Sequence, residues 1–177
     1  MYKPVGVVST MDDPQGRPTV RSIVPREPVT NPVGRLDLHS EGLMLMTNDG
    51  DLALRVTHPR YEIGKTYHVL IPDHVANDDV KRLASGVELD DGHAAARSAR
   101  VISKGSTRTI VELVMAEGRK REIRRMFEAL GIPVERLVRT AIGDVIDRNL
   151  APGSYRALTL DEIRSLYTLA DKAGSRD

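Results

Sequence analysis

No cysteine occurs in the 177 residues, which excludes a disulfide framework and any thiolate metal site. A chain of this length can bury a sufficient core without either. Tryptophan is also absent, and one phenylalanine accompanies five tyrosines. That scarcity argues against binding single-stranded nucleic acid through a broad aromatic stacking platform. No apolar run reaches the ~20 residues that cross a bilayer, and the N-terminus lacks the charged-then-apolar pattern of a secretory signal. A large net charge is missing too: 26 Lys and Arg stand against 25 Asp and Glu, leaving +1. These absences describe a soluble, cytoplasmic, monomeric protein with a single domain over residues 1–177 and a polar tail from about 171.

What is present is uneven. Arg119, Lys120, Arg121, Arg124 and Arg125 crowd one short stretch, while Asp73, Asp78, Asp79, Glu88, Asp90 and Asp91 lie elsewhere. A locally basic face on a nearly neutral protein can hold a polyanion. Residues 5–10, 43–47, 66–71, 87–89, 99–102, 107–115, 134–142 and 155–158 read as strands, with turns at 12–16, 48–50 and 90–92. Residues 51–56 read as a short helix stopped before Pro59. Asn77 is expected to cap a helix carrying Val80, Leu83 and Ala84 and ending at Gly86. The clearest helix carries Ile123, Met126, Phe127 and Leu130 at i, i+3, i+4 and i+7, with Gly131 as its stop. The last opens with a capping box, Thr159 to Glu162, and buries Ile163, Leu166, Tyr167 and Ala170. Many strands and few helices without regular alternation predict an α+β fold on a large, mostly antiparallel sheet.

One loop concentrates chemistry. Asn31-Pro32-Val33-Gly34-Arg35-Leu36-Asp37 precedes His39-Ser40-Glu41-Gly42 and the apolar run Leu43-Met44-Leu45-Met46-Thr47. An acid, a base and two glycines thus sit between strand-like stretches, where functional loops commonly ride on a rigid frame. Taken alone, these residues favour an ordinary solvated loop.

The wider pattern changes that weighing. Gly34-Arg35-Leu36-Asp37, with the segment from Gly42 through Thr47-Asn48-Asp49-Gly50, resembles the signature of the RsuA/RluB family of ribosomal-RNA pseudouridine synthases. Lys3-Pro4-Val5-Gly6 with Ser9-Thr10 resembles the family's opening motif, and Lys65-Thr66-Tyr67 its Lys-x-Tyr motif. Glu117-Gly118-Arg119 through Ile123-Arg124-Arg125-Met126 resembles the third motif, and Leu137-Val138-Arg139-Thr140-Ala141-Ile142-Gly143 the fourth. Five matches in the family's order cover nearly the whole chain. The pattern lies closer to the large-subunit synthases than to the small-subunit one.

The resemblance implies a pseudouridine synthase fold with a catalytic cleft across the sheet, and an isomerase acting on one uridine of ribosomal RNA. Asp37 would be its catalytic carboxylate, and Tyr67 would lie against the uracil and accept the C5 proton. Arg124 would pair with Asp37, Arg35 would fill the space left by the flipped nucleotide, and Leu137 would line the uracil pocket. RNA contacts would fall to Arg35, Lys3, Lys65, Arg119, Lys120, Arg125 and Arg139. The reaction breaks the N1–C1′ bond, turns the uracil and joins C5 to C1′. It involves no redox change or net hydrolysis, so neither metal nor cofactor is required. An ionised carboxylate can add to C1′, add to C6 or take the C2′ proton, and the residues leave these three open. A charge-assisted contact from Arg124 is worth roughly 1.5–3 kcal/mol and favours the ionised carboxylate. Extracting a base from its stack costs a few kcal/mol, which gives a wedge such as Arg35 physical work.

Other readings fit less well. Gly64-Lys65-Thr66 resembles the end of a phosphate-binding loop, but the required earlier glycine is Pro59. His39, His58, His68, His74 and His93 show no paired metal-ligand spacing. Asp12-Asp13 and Asp90-Asp91 lack calcium-loop spacing. A noncatalytic RNA-binding module needs no Asp37, Tyr67 and Arg124 set. A glycosidase needs two acids around one bond, and Asp37 with Glu41 is the nearest pair. Two details depart from the family pattern. Glu122 stands where many members have Gln, an added negative charge on the basic helix. The small RNA-binding domain that many relatives carry before the Lys-Pro motif is expected to be absent, because Lys3 lies so near the start.

Overall fold

The computed structural model describes residues 1–72 and 74–174. In chain order its first half contains β1 (Tyr2–Lys3), β2 (Asn31–Val33), β3 (Glu41–Leu43), β4 (Leu45–Thr47), α1 (Gly50–Thr57), β5 (Lys65–Pro72) and α2 (Asn77–Ser85). The second half contains β6 (Val87–Leu89), β7 (Gly92–Ala94), β8 (Ser98–Lys104), β9 (Arg108–Met115), α3 (Glu122–Ala129), β10 (Arg136–Ile142), β11 (Val145–Ile146) and α4 (Leu160–Gly174). The fold class is α+β, with mostly antiparallel strands and four α-helices among the described residues. The chain forms two compact units, Met1–Ile63 with Arg139 onward, and Gly64–Val138.

The first unit draws its core from distant parts of the chain. Val33, Leu45, Leu52, Val56, Tyr61 and Ile63 pack with Ile142, Val145, Leu166 and Ala170. Helix α1 starts where Asp49 accepts a hydrogen bond from Leu52 N at 3.0 Å, satisfying one of the first turn's open donors. Tyr167 of α4 donates to the other Asp49 oxygen at 2.7 Å. Arg55 joins the same two helices through Asp51 and Asp171. The capping box forms as expected: Thr159 N donates to Glu162 Oε2 at 2.8 Å, and Glu162 N to Thr159 Oγ1 at 3.2 Å.

In the second unit, β5 and β9 pair over eight residues, from Lys65↔Met115 to Pro72↔Arg108. Tyr67, Val69 and Ile71 alternate inward opposite Leu113, Val111 and Thr109. Strand β8 extends this sheet along the other edge of β9. Val80 and Leu83 of α2 and Ile123, Met126 and Phe127 of α3 supply the helices' buried faces. In α3 these are the predicted i, i+3 and i+4 positions.

Several local expectations give way. Residues 5–10 are not a buried strand: Val5 is half exposed, Gly6 turns at φ +84°, and Val8 makes one isolated bridge to Thr19. Pro4 has no N–H for a ladder there. The run 43–47 splits at Met44, because β3 pairs with β1 whereas β4 pairs with β2. Met44 N bonds Met1 O, and residues 41–45 are buried without alternation. Asn77 is the first residue of α2; the cap is Ala76, with no side-chain bond. Residues 155–158 form no strand. Arg156 is fixed there by Asp147 and Glu162 rather than by a ladder. Helix α4 carries the expected tail through Gly174, while residues 175–177, like Asp73, lie outside the described residues. Ile163 and Tyr167 are half-buried; Leu166 and Ala170 are the fully buried positions.

Two features fix the start of the chain and its neighbour. Lys3 is completely buried, and its ammonium donates to Pro4 O at 2.9 Å and Val7 O at 2.8 Å. Gly42, at φ +114°, lies so close to β10 that a Cβ would sit 2.2 Å from Arg139 O and 2.6 Å from Arg139 N. Only a residue without a side chain permits that approach.

Gly42→Ala is therefore expected to lose about 3 kcal/mol or more, combining backbone strain with overpacking against a main chain that has little room to retreat. Urea unfolding measures it, and a midpoint equal to the parent's contradicts the close approach. Lys3 yields a pH signature. Burial, with Arg139 nearby, lowers its pKa from 10.5 to about 8 despite the opposing pull of Asp37 and Glu41. Between those values the unfolded chain holds a proton that the folded one has released, so this group's contribution to stability rises with pH. The stability difference between parent and Lys3→Met should shift in the parent's favour from about pH 8 to pH 10.5. A flat difference in paired urea titrations refutes it.

Candidate active site

Asp37 belongs to the first unit, in the irregular backbone joining β2 to β3. No ladder sets its direction, so local bonds must. The Ser9 hydroxyl donates to Leu36 O at 2.6 Å and accepts from Leu36 N at 2.9 Å. On the other flank, Gly6 N donates to Leu38 O at 2.9 Å. Asp37 O itself accepts from Ser40 N at 3.0 Å, closing a turn. The opening Lys-Pro stretch and the Gly-Arg-Leu-Asp stretch thus meet in space, which no local spacing announces. Asp37 is half-buried, and its carboxylate lies within electrostatic range of the Lys3 ammonium.

The other first-unit candidates divide by exposure. Arg35 is exposed two residues before Asp37. Lys3 and Arg139, expected as RNA contacts, face inward instead. Lys3 is fully buried on two carbonyls, and Arg139, 4% exposed, donates from Nε to Leu43 O at 2.7 Å. A polar group with no solvent-facing surface serves its buried partners, since leaving them unsatisfied is costly. Glu41, the second acid of the glycosidase reading, is buried and accepts from Tyr2 OH at 2.9 Å. A carboxylate so occupied is a poor general acid for a second bond.

The second unit holds the remaining candidates. Tyr67 is buried on β5 opposite Leu113, with Lys65 half-buried two residues earlier. Leu137 is buried on β10. Arg124 is half-buried on α3 and donates from Nη1 to Val134 O at 3.2 Å. The basic cluster is largely self-neutralised. Arg125 grips Asp91 through both terminal nitrogens, at 2.8 and 2.9 Å. Arg119 reaches the same carboxylate at 3.3 Å and also donates to His93 O. These bonds hold Asp91 in its ionised form, its pKa lowered first by the hydrogen bond from Arg125. Glu122, expected as an unfavourable charge, is buried and accepts from Arg119 N at 3.0 Å and Arg119 Nε at 2.9 Å. Its carboxylate folds back onto the residue three positions before it and is matched there by a guanidinium. Lys120 remains exposed.

The sequence places Ser9 in the opening motif and Asp91 in an acidic turn but gives neither a role, because their partners lie 27 and 34 residues away. A largely apolar cavity of about 250 Å³ lies elsewhere in the first unit, lined among others by Val24, Pro25, Leu45, Met46 and Tyr155. None of the expected site residues lines it. Among the described residues no three His, Asp or Glu side chains gather as a metal site, and no helix is long and apolar enough to cross a membrane.

Comparison with known proteins gives these residues a family. Residues 1–129 match the family described as RNA pseudouridylate synthase. A relative from Mycobacterium leprae, named an uncharacterized RNA pseudouridine synthase, is 47% identical over 171 residues, covering 94% of this chain and 67% of that protein. Ribosomal large subunit pseudouridine synthase B of Bacillus subtilis is 38% identical over 174 residues, covering 97% of this chain and 71% of that one. A solved structure titled as that of a pseudouridylate synthase superposes with a TM-score of 0.83 at 35% identity, over 94% of this chain and 71% of that one. Similarity in sequence and in fold, sustained across both units, places the protein in the RNA pseudouridylate synthase family, whose members are isomerases.

Proposed function

We propose that the protein converts a specific uridine of ribosomal RNA to pseudouridine, with Asp37 as its catalytic carboxylate. The observation that carries this reading is the fixing of residues 36–38 at both flanks by the opening loop. A solvated loop carboxylate needs no such hold; a carboxylate that must meet one carbon atom does. The name of the Bacillus subtilis relative points to the large ribosomal subunit as the source of the substrate.

In this scheme the target nucleotide leaves its stack and Arg35, exposed beside Asp37, takes its place. Asp37 acts on the nucleotide as the N1–C1′ bond breaks and the uracil turns. A C5–C1′ bond forms, C5 loses its proton, and N1 gains one, so the atoms balance without oxidant or added water. Tyr67 accepts the C5 proton, Leu137 packs against the uracil, and Arg124 contributes positive charge that favours an ionised carboxylate. In the same scheme exposed Lys120 of the basic stretch contacts phosphate, together with Lys65. Arg119 and Arg125 hold the β6–β7 hairpin through Asp91. Cytoplasmic ribosomal RNA is the partner, and neither metal nor cofactor enters the scheme.

Two predictions follow the roles. Asp37→Asn should lower single-turnover isomerisation by about 10³-fold or more, in the range of losing an essential acid–base or nucleophilic group, with RNA affinity and unfolding midpoint close to the parent's. Turnover near the parent's removes Asp37 from the chemistry, and RNA binding without any turnover in the parent favours a binding module instead. Tyr67→Phe keeps the ring but loses the phenolic oxygen, so the reaction should stall after C1′ is transferred. Release of tritium from C5-labelled uridine should fall by about 10²-fold or more. Parent-like tritium release rules out Tyr67 as the proton acceptor.

A further inference from the structure

We propose that Ser9 is a positioning residue for Asp37, aiming the carboxylate through a two-bond grip on the preceding residue. The inference rests on the catalytic role of Asp37 proposed above. One hydroxyl makes both bonds, donating to Leu36 O at 2.6 Å and accepting from Leu36 N at 2.9 Å. It thereby replaces the pair of main-chain bonds that a neighbouring strand would give, at a residue that lies in no strand. Leu36 is only 6% exposed, so water is a poor substitute on that side.

The grip has a rigid base. Two residues before Ser9, Val7 O accepts from the buried ammonium of Lys3, and Val20 N donates to Val8 O at 3.1 Å. Beyond Asp37, Gly6 N holds Leu38 O. The residues on both sides of Asp37 are thus anchored to one short loop, while the aspartate between them keeps its carboxylate available. A side chain on a segment so held has few directions open to it. Removing the hydroxyl releases the N-terminal flank and leaves the other in place, so the expected defect is misalignment rather than unfolding. Displacements of about 1 Å at a reacting group can lower rates on the order of 10²-fold.

The test compares Ser9→Ala, Ser9→Thr and Asp37→Asn in the full chain, using a ribosomal RNA fragment that the parent modifies. Ser9→Ala should reduce the single-turnover rate at saturating RNA by about 10- to 100-fold. Its RNA dissociation constant should remain within about 2-fold of the parent's, a difference worth under 0.5 kcal/mol. Hydrogen exchange at the Leu36 amide should accelerate. Ser9→Thr, which keeps the hydroxyl, should recover the rate to within about 3-fold of the parent. Parent-like turnover in Ser9→Ala while Asp37→Asn is inactive overturns the positioning role and leaves the catalytic one standing. Rate and affinity falling together, with no recovery in Ser9→Thr, also overturn it by marking Ser9 as a general packing residue. Parent-like turnover in Asp37→Asn instead defeats the catalytic assignment, and with it the reason for any aim.

Discussion

A single buried ammonium organises the opening of this chain. Lys3 has no exposed surface, and two carbonyls three positions apart, at residues 4 and 7 of its own loop, converge on it. Burying a charge is costly unless its hydrogen-bonding capacity is met. Here the loop curls around its own cation, and the nearby Asp37 and Glu41 offset part of the desolvation. The curl is what brings Gly6 and Ser9 to the peptides flanking Asp37. The shape of the loop and the placement of Asp37 are thereby coupled at one point: the ammonium on which the loop closes also sets the place of the carboxylate. The close passage of Gly42 against Arg139 secures the neighbouring strand to the same frame.

How much of this was legible depended on sequence distance. Strands β5 and β9, though not their pairing, followed from strand-like runs, α3 followed from 3.6-residue periodicity, and α4 from periodicity with a capping box that acts within three residues. Those signals are local, so the sequence carries them in full. The run at 43–47 misled because burial on every side gives the same unbroken apolar string whether a strand continues or changes partner, as it does at Met44. Tyr155 to Leu158 misled for the opposite reason. Of its apolar residues Leu158 packs on the core while Tyr155 is exposed, and Arg156 between them is held by carboxylates at 147 and 162 instead of a ladder.

The candidate site shows the same division. Asp37 stands out in the sequence only through its motif, whereas Lys3 and Arg139 carried motif positions whose inward placement no spacing could reveal. Charge counting likewise overstated the basic helix. Arg119 and Arg125 converge on Asp91, a residue that reads in one dimension as half of an acidic turn. A cluster of guanidinium groups in a sequence describes capacity for anions, and the protein's own carboxylates have first access to it. The resulting latch has a stereochemical advantage: a planar guanidinium meeting a carboxylate through two nitrogens fixes orientation as well as distance. The hairpin β6–β7 is held in that way against the start of α3.

The order of the chain through its two units bears on how the protein is made. The first unit needs residues from both ends of the sequence, for Val33 and Leu45 share a core with Ile142 and Ala170. The second is one uninterrupted stretch between them. During synthesis, at ~5–20 residues per second, the interior stretch leaves the ribosome with all its strands while the first unit still waits for its closing helix. For several seconds the loop that carries Asp37 exists without the core beneath it. The carboxylate of Asp37 acquires a fixed address only after α4 has emerged, well behind the residues that surround it in the sequence.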